Sequence, residues 1–233
     1  MTPLRERIAR ASPRTEFVFV CLLAFGMFSV TSVVAVIAMT ALTEAPNAGH
    51  AVIDQSHVVR LVVYELAVLC GLGWSLRVRG WTAVRIGLQP SWSATGIGVL
   101  LAAAAFLSSG LVSSVVLANS SSLAAIVERT HPVAAPTSAG ALVAVCIVNP
   151  LFEEVFVSGY LVTALKRARS ASFAANSSAA VRLLYHLYQG PLAVIGILPI
   201  GLLFGYWYAR TARLWPLVVA HALLDAIAIA AYQ

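Results

Sequence analysis

Long apolar runs separated by short polar clusters dominate the chain. Seven of them, near 17–42, 58–76, 94–117, 139–164, 172–188, 191–209 and 213–231, are long enough or nearly so to cross about 30 Å of hydrocarbon as helices rising ~1.5 Å per residue. The pattern predicts an all-α polytopic transmembrane helix bundle of about seven spans. Composition points the same way: 60 % of residues are hydrophobic, 10 % are charged, and the mean hydropathy is +0.89. Soluble domains are roughly 45–50 % apolar and 25 % charged. The chain reads as one helical domain in two regions, an N-terminal membrane region with three spans (1–138) and a second region with four (139–233) that holds the unusual residues. Neither an internal repeat nor inverted halves are visible.

Charge placement tests the spans independently, because Lys and Arg gather in cytoplasmic loops. With a cytoplasmic N-terminus, 13 of the 15 basic residues fall inside, including Arg5, Arg7, Arg10, Arg14, Arg77, Arg79, Arg85, Lys166, Arg167 and Arg182, and only Arg60 and Arg129 fall outside. The net charge of +6 is thus a topology signal with some attraction for anionic lipid, and it gives no reason to invoke nucleic acid. A multi-pass protein of the cell membrane is expected. Arg outnumbers Lys 14 to 1, which suggests a bacterial source. Met1 to Arg14 looks like the start of a signal peptide, but the apolar run from Phe17 to Leu42 is too long for one and should remain as the first span. Cys21, Cys70 and Cys146 lie in apolar segments without CxxC spacing and read as small core residues. His50, His57 and His131 fall in outer loops.

Two adjacent carboxylates, Glu153 and Glu154, interrupt the fourth run. Each costs roughly +2.5 to +3.5 kcal/mol on insertion scales, so the pair marks a functional site by default. His186 on the fifth run and His221 with Asp225 on the seventh join them. His221 and Asp225 are four residues apart and share a helix face, so the carboxylate can orient the imidazole. Measured from the cytoplasmic helix ends, Glu153 lies roughly 17 Å deep, Asp225 roughly 18 Å, His221 roughly 12 Å and His186 roughly 21 Å. Groups from three helices therefore converge on one level of the bilayer.

Adjacent carboxylates that cannot cheaply both ionise split their titrations, leaving one as a base. Such a base beside a histidine can deprotonate water, and a second histidine or a cation can stabilise an oxyanion. This is hydrolase chemistry with no cofactor. Zinc held by His186, His221 and a glutamate is the competing arrangement, although no His-Glu-x-x-His spacing supports it. A serine nucleophile is disfavoured because no Gly-x-Ser-x-Gly is present.

The stretches Asn149 to Leu161 (NPLFEEVFVSGYL), Tyr185-His186-Leu187, Gly201 to Tyr208 (GLLFGYWY) and Leu214 to Asp225 resemble the CPBP family. These are the CAAX proteases and bacteriocin-processing enzymes, also called Abi, which are intramembrane glutamic endopeptidases. The likeness covers roughly 140–230, with a further trace at Arg79-Gly80-Trp81 to Ile86-Gly87-Leu88. It implies that Glu153 or Glu154 activates water, that His186 assists, and that His221 with Asp225 completes the oxyanion or water-positioning group. The partners implied are a membrane-associated peptide or protein substrate and the lipid bilayer.

Two positions depart from the family pattern. Its Glu-Glu-x-x-x-Arg motif has Ser158 at the Arg position, and its Phe-x-x-x-His motif has Arg182 at the Phe position. Arg182 either supplies the cation that Ser158 cannot, on a glutamate or on a substrate carboxylate, or snorkels to the interface. The first departure gives weight to a catalytically inactive immunity or scaffold protein of the same fold, and a proton-coupled transporter is the remaining reading. Elsewhere, Glu65 is a lone buried carboxylate on the second span, Asn149-Pro150 should bend the fourth, and Ser158 reads as a small residue for close helix approach. Trp74, Trp81, Trp92 and Trp215 look like interfacial anchors, and Gly201 with Gly205 forms a small-residue packing face.

Overall fold

A computed structural model describes residues 3–42, 52–130 and 133–231. His50 and His131 lie outside the described residues. The chain is an all-α bundle: α1 (Pro3–Arg10), α2 (Pro13–Cys21), α3 (Met27–Leu42), α4 (Gln55–Val78), α5 (Trp92–Ala118), α6 (Ser121–Thr130), α7 (Ala139–Glu153), α8 (Thr163–Leu165), α9 (Ala171–His186), α10 (Pro191–Thr211) and α11 (Trp215–Ala231). Two π-helical segments, Leu22–Gly26 and Glu154–Val162, join α2 to α3 and α7 to α8. The only β pairing among the described residues is a parallel pair of two-residue strands, Val52–Ile53 with Val133–Ala134.

All seven expected segments are helical, but their lengths differ. Among the described residues, five helices are long and apolar enough to cross a membrane: Pro13–Ala38, Gln55–Val78, Trp92–Ala118, Ala139–Leu165 and Pro191–Thr211. The 16 residues of α9 and 17 of α11 reach only ~24–26 Å at the helical rise. Both helices carry polar site residues, Arg182 and His186 on α9 and His221 and Asp225 on α11. The short helices α1 and α6, of 8 and 10 residues, were not foreseen, because two or three turns leave little periodic signal.

Helix starts follow local chemistry. Ser12, Asp54, Ser91 and Ser170 cap α2, α4, α5 and α9, each accepting from a backbone N–H three residues on, which satisfies one of the orphaned donors of a first turn. His57, expected in a loop, lies in the first turn of α4 and is bonded to Asp54 through its backbone N–H at 2.9 Å and its ring Nδ1 at 2.8 Å. Between Gly190 (φ 86°) and the left-handed Ala212 (φ 51°), α10 is bounded at both ends by backbone that cannot continue the helix.

Around the site, α10 packs on α9 and α5, α11 on α5 and α7, α4 on α7, and α3 on α9. Small residues set the closest approach: a Cβ at Gly205 would meet the Ala175 carbonyl oxygen at 2.7 Å, and one at Gly201 would meet Ala179 at 3.3 Å. The two four-residue spacings run antiparallel against each other, as a small-residue face requires.

At one end of the bundle, Glu16 of α2 accepts from Arg79 Nε, from Trp81 Nε1 at 3.1 Å and from Tyr160 OH at 3.0 Å. Arg79 also donates to the carbonyls of Ile8 and Ala9, fastening α1 to the core. Trp81 is 6 % exposed and lies between the guanidinium groups of Arg85 and Arg167, 4.7 and 4.9 Å from its ring centroid. It is therefore a buried cation–π hub and not the expected interfacial anchor; Trp74 and Trp92 are exposed. The cysteines also differ from expectation: Cys70 is exposed, and Cys21 and Cys146 are half-buried.

Candidate functional site

Glu153 ends α7 and Glu154 begins the π-helical segment. Pro150, one turn earlier inside α7, lacks the N–H that would extend the regular ladder, and the widened turn that follows is a form often found at functional sites. Both glutamates are buried, Glu154 completely. On α9, Arg182, Tyr185 and His186 occupy i, i+3 and i+4 and share one face. Ser32 of α3 donates to the Tyr185 carbonyl at 2.7 Å, tying down the end of that helix.

The six residues singled out in the sequence meet here. Arg182, 3 % exposed, donates from Nη1 to Glu153 Oε2 at 2.9 Å and from Nη2 to Glu154 Oε1 at 2.7 Å. It was counted with the inside loop; instead it is enclosed by the bundle, its guanidinium 5.7 Å from the Phe204 ring centroid. Because the planar fork presents two parallel donors, one side chain bridges both carboxylates. His221 Nδ1 lies 2.8 Å from Glu154 Oε1. Its Nε2 is 3.5 Å from Asp225 Oδ1 and 3.9 Å from Glu153 Oε2. His186 Nδ1 lies 2.9 Å from the Arg182 carbonyl; a carbonyl only accepts, so Nδ1 carries the proton. His186 Nε2 then faces Glu153 Oε1 at 3.8 Å.

The two glutamates are unequal. Glu154 uses Oε1 for Arg182 and His221 and Oε2 for the Ser158 hydroxyl at 2.6 Å. Glu153 Oε2 accepts from Arg182 and from Tyr185 OH at 2.5 Å, while Glu153 Oε1 is turned to His186. One carboxylate is thus anchored through both oxygens and the other keeps an oxygen for chemistry.

Three of these partners were missed or misread in the sequence. Tyr185 had a signal, its i+3 relation to Arg182. Asn149 was read only as part of a bend, yet its Nδ2 donates to Asp225 Oδ2 at 3.0 Å; it shares a helix face with Glu153 four residues on. Ser158, read as a spacer, is a donor to Glu154. Among the described residues, no three His, Cys, Asp or Glu side chains are grouped to hold a metal ion.

Residues 135–227 match the family model of the type II CAAX prenyl endopeptidase Rce1-like proteins. Over this segment the chain is similar to the type II CAAX prenyl endopeptidases. The Rce1-like region takes in α7, the π-helical segment, α9 and α10, and all of α11 but its last turn, so every residue of the cluster from Asn149 to Asp225 lies within it. No curated protein and no solved structure matches the chain.

Proposed function

We propose that the protein is an intramembrane glutamic endopeptidase that hydrolyses a peptide bond of a membrane-associated substrate without a metal. The observation that carries this reading is the pairing of Glu153 Oε1 with His186 Nε2 at 3.8 Å. Both atoms are hydrogen-bond acceptors, and a water donating to each would sit about 2.8–3.0 Å from both. Glu153 takes a proton from that water at Oε1, and the hydroxide formed adds to the substrate carbonyl. His221, surrounded by Glu153, Glu154 and Asp225, keeps Nδ1–H on Glu154 and turns Nε2–H toward the developing oxyanion, with Asp225 and Asn149 fixing its orientation. As the tetrahedral species collapses, the C–N bond breaks and Glu153 returns its proton to the leaving amine. Water ends up divided between the new carboxyl and amino termini.

Arg182 is the cation of this site. Its guanidinium bridges the two carboxylates, a permanent cation already in contact with one oxygen of each, which supports a metal-free mechanism. It also stands in for the arginine that Ser158 replaces, reaching the same pair of glutamates from α9. In a cell the enzyme would reside in the plasma membrane with its basic end cytoplasmic.

A non-catalytic immunity or scaffold protein of the same fold is the second reading, favoured by one observation: the Arg182 bridge would clamp α7 to α9 whether or not water is activated. The deciding experiment is hydrolysis of a fluorogenic prenylated peptide and of membrane-extract peptides by the purified protein in detergent with EDTA present. Cleavage that survives chelation supports the protease; absence of cleavage in every condition supports the clamp.

A further inference from the structure

One buried acid has no part in the chemistry above. Glu65, midway along α4, is 1 % exposed and its Oε2 has no hydrogen-bond partner. Helix α4 packs on α7, and Glu65 lies within electrostatic reach of Glu153, Asp225 and His221. Tyr188, which follows α9 and is 46 % exposed, is within electrostatic reach of Glu65, Glu153 and Asp225, so this acidic neighbourhood extends to an exposed side chain.

The charge inventory of this space is lopsided. Four carboxyl groups, those of Glu65, Glu153, Glu154 and Asp225, share two cations, the Arg182 guanidinium, whose terminal nitrogens are committed to Glu153 and Glu154, and the His221 imidazolium, which is taken up by Glu154, Asp225 and Glu153. A buried carboxyl oxygen without a donor is unfavourable until one arrives, and a cationic donor suits a carboxyl better than a neutral one. Resting on the endopeptidase reading, we propose that Glu65 is a specificity-determining residue that receives a Lys or Arg side chain of the substrate peptide near the scissile bond. The site would then select a peptide with a basic residue at the edge of an apolar stretch, the composition of a segment leaving the membrane.

The test uses the full chain in detergent carrying Glu153→Gln, so that bound peptide is not turned over. Binding of three fluorescein-labelled apolar peptides, identical except for a central Lys, Gln or Glu, is read by anisotropy before and after adding Glu65→Gln. The expected result is a Lys peptide bound at least about tenfold more tightly than the Gln peptide, with that preference shrinking to about twofold or less in Glu65→Gln. Equal binding of the Lys and Gln peptides overturns the proposal without recourse to any variant at position 65, as does a preference that Glu65→Gln leaves intact. Parallel cleavage assays on protein with Glu153 restored keep the two ideas apart. Selective binding without cleavage sinks the endopeptidase and leaves Glu65 as a basic-residue receptor, whereas cleavage without Lys preference sinks only the role of Glu65.

Discussion

Replacing Arg182 with Ala removes the single cation that two buried carboxylates share. The side chains of Glu153 and Glu154 are 7 % and 0 % exposed, so neither can turn to water when the guanidinium goes. Deleting one partner of a buried ion pair costs about 3–5 kcal/mol, because the other charge is left uncompensated. Here two bonds of 2.9 and 2.7 Å are lost together, which argues for the upper end. Tyr185, Ser158 and His221 continue to donate to the same oxygens, which pulls the figure back toward about 3 kcal/mol. Arg182→Lys keeps the charge but gives up the fork, and should lose roughly half as much. Because Ser158 Oγ already touches Glu154 Oε2, adding Ser158→Arg to Arg182→Ala should recover part of the loss. Reversible unfolding in mixed SDS and neutral detergent, followed by tryptophan fluorescence, measures each variant. A loss for Arg182→Ala under about 1 kcal/mol, the value of an exposed pair, would refute the buried-bridge account.

Other expectations come from separate parts of the structure. Gly205→Ala sets a Cβ 2.7 Å from the Ala175 carbonyl oxygen, backbone that cannot swing aside, and should cost about 1–3 kcal/mol in the same unfolding assay; an unchanged midpoint would contradict the packing. Glu16→Ala leaves Arg79, Trp81 and Tyr160 without their shared acceptor and should expose the junction between α1 and α2 to limited proteolysis well before the rest of the chain; identical digestion rates would show that the cluster does not hold α1. At the start of α4, the Ser56 hydroxyl and then the His57 backbone N–H and ring hold the Asp54 carboxyl below the usual carboxylate range. A carboxyl depressed in the folded state adds stability above its unfolded pKa of about 3.9 and loses it as pH falls below that. Asp54→Asn should therefore lower stability at neutral pH and leave the strongly acid end nearly unchanged, which flattens the acid limb of the profile; an unaltered acid limb would remove the cap from the account.

Much of the architecture was readable from the sequence because hydrocarbon imposes a length rule that soluble folds lack. The seven apolar runs became helices within a few residues of their expected ends, since caps such as Ser91 and Ser170 sit where polarity changes. What hydropathy could not give was local geometry. The π-helical segment Glu154–Val162 leaves no hydropathy signal, nor does the close packing at Gly159 within it, where a Cβ would meet Leu214 at 3.2 Å. Trp81 carries an amphipathic side chain at an apparent boundary, which suits an anchor as well as a buried ring between two arginines. The convergence of Glu153, Glu154, His186, His221 and Asp225 was visible from depth and helix spacing. Tyr185 and Asn149 had only a shared helix face with Arg182 and with Glu153 to mark them, and their partners, Glu153 and Asp225, follow from the placement of α9 and α11 around α7.

The inequality of the two glutamates is the central claim, and turnover measures it most directly. The hydrolysis rate of one peptide substrate in the presence of EDTA is compared for the wild type and Glu153→Gln, a change that keeps size and burial. The account predicts a fall of about 10²–10⁴-fold, the contribution of a positioned general base, with the variant still folded by its unfolding midpoint. Activity that survives Glu153→Gln, or that is abolished by EDTA in the wild type and returns with zinc, would contradict it.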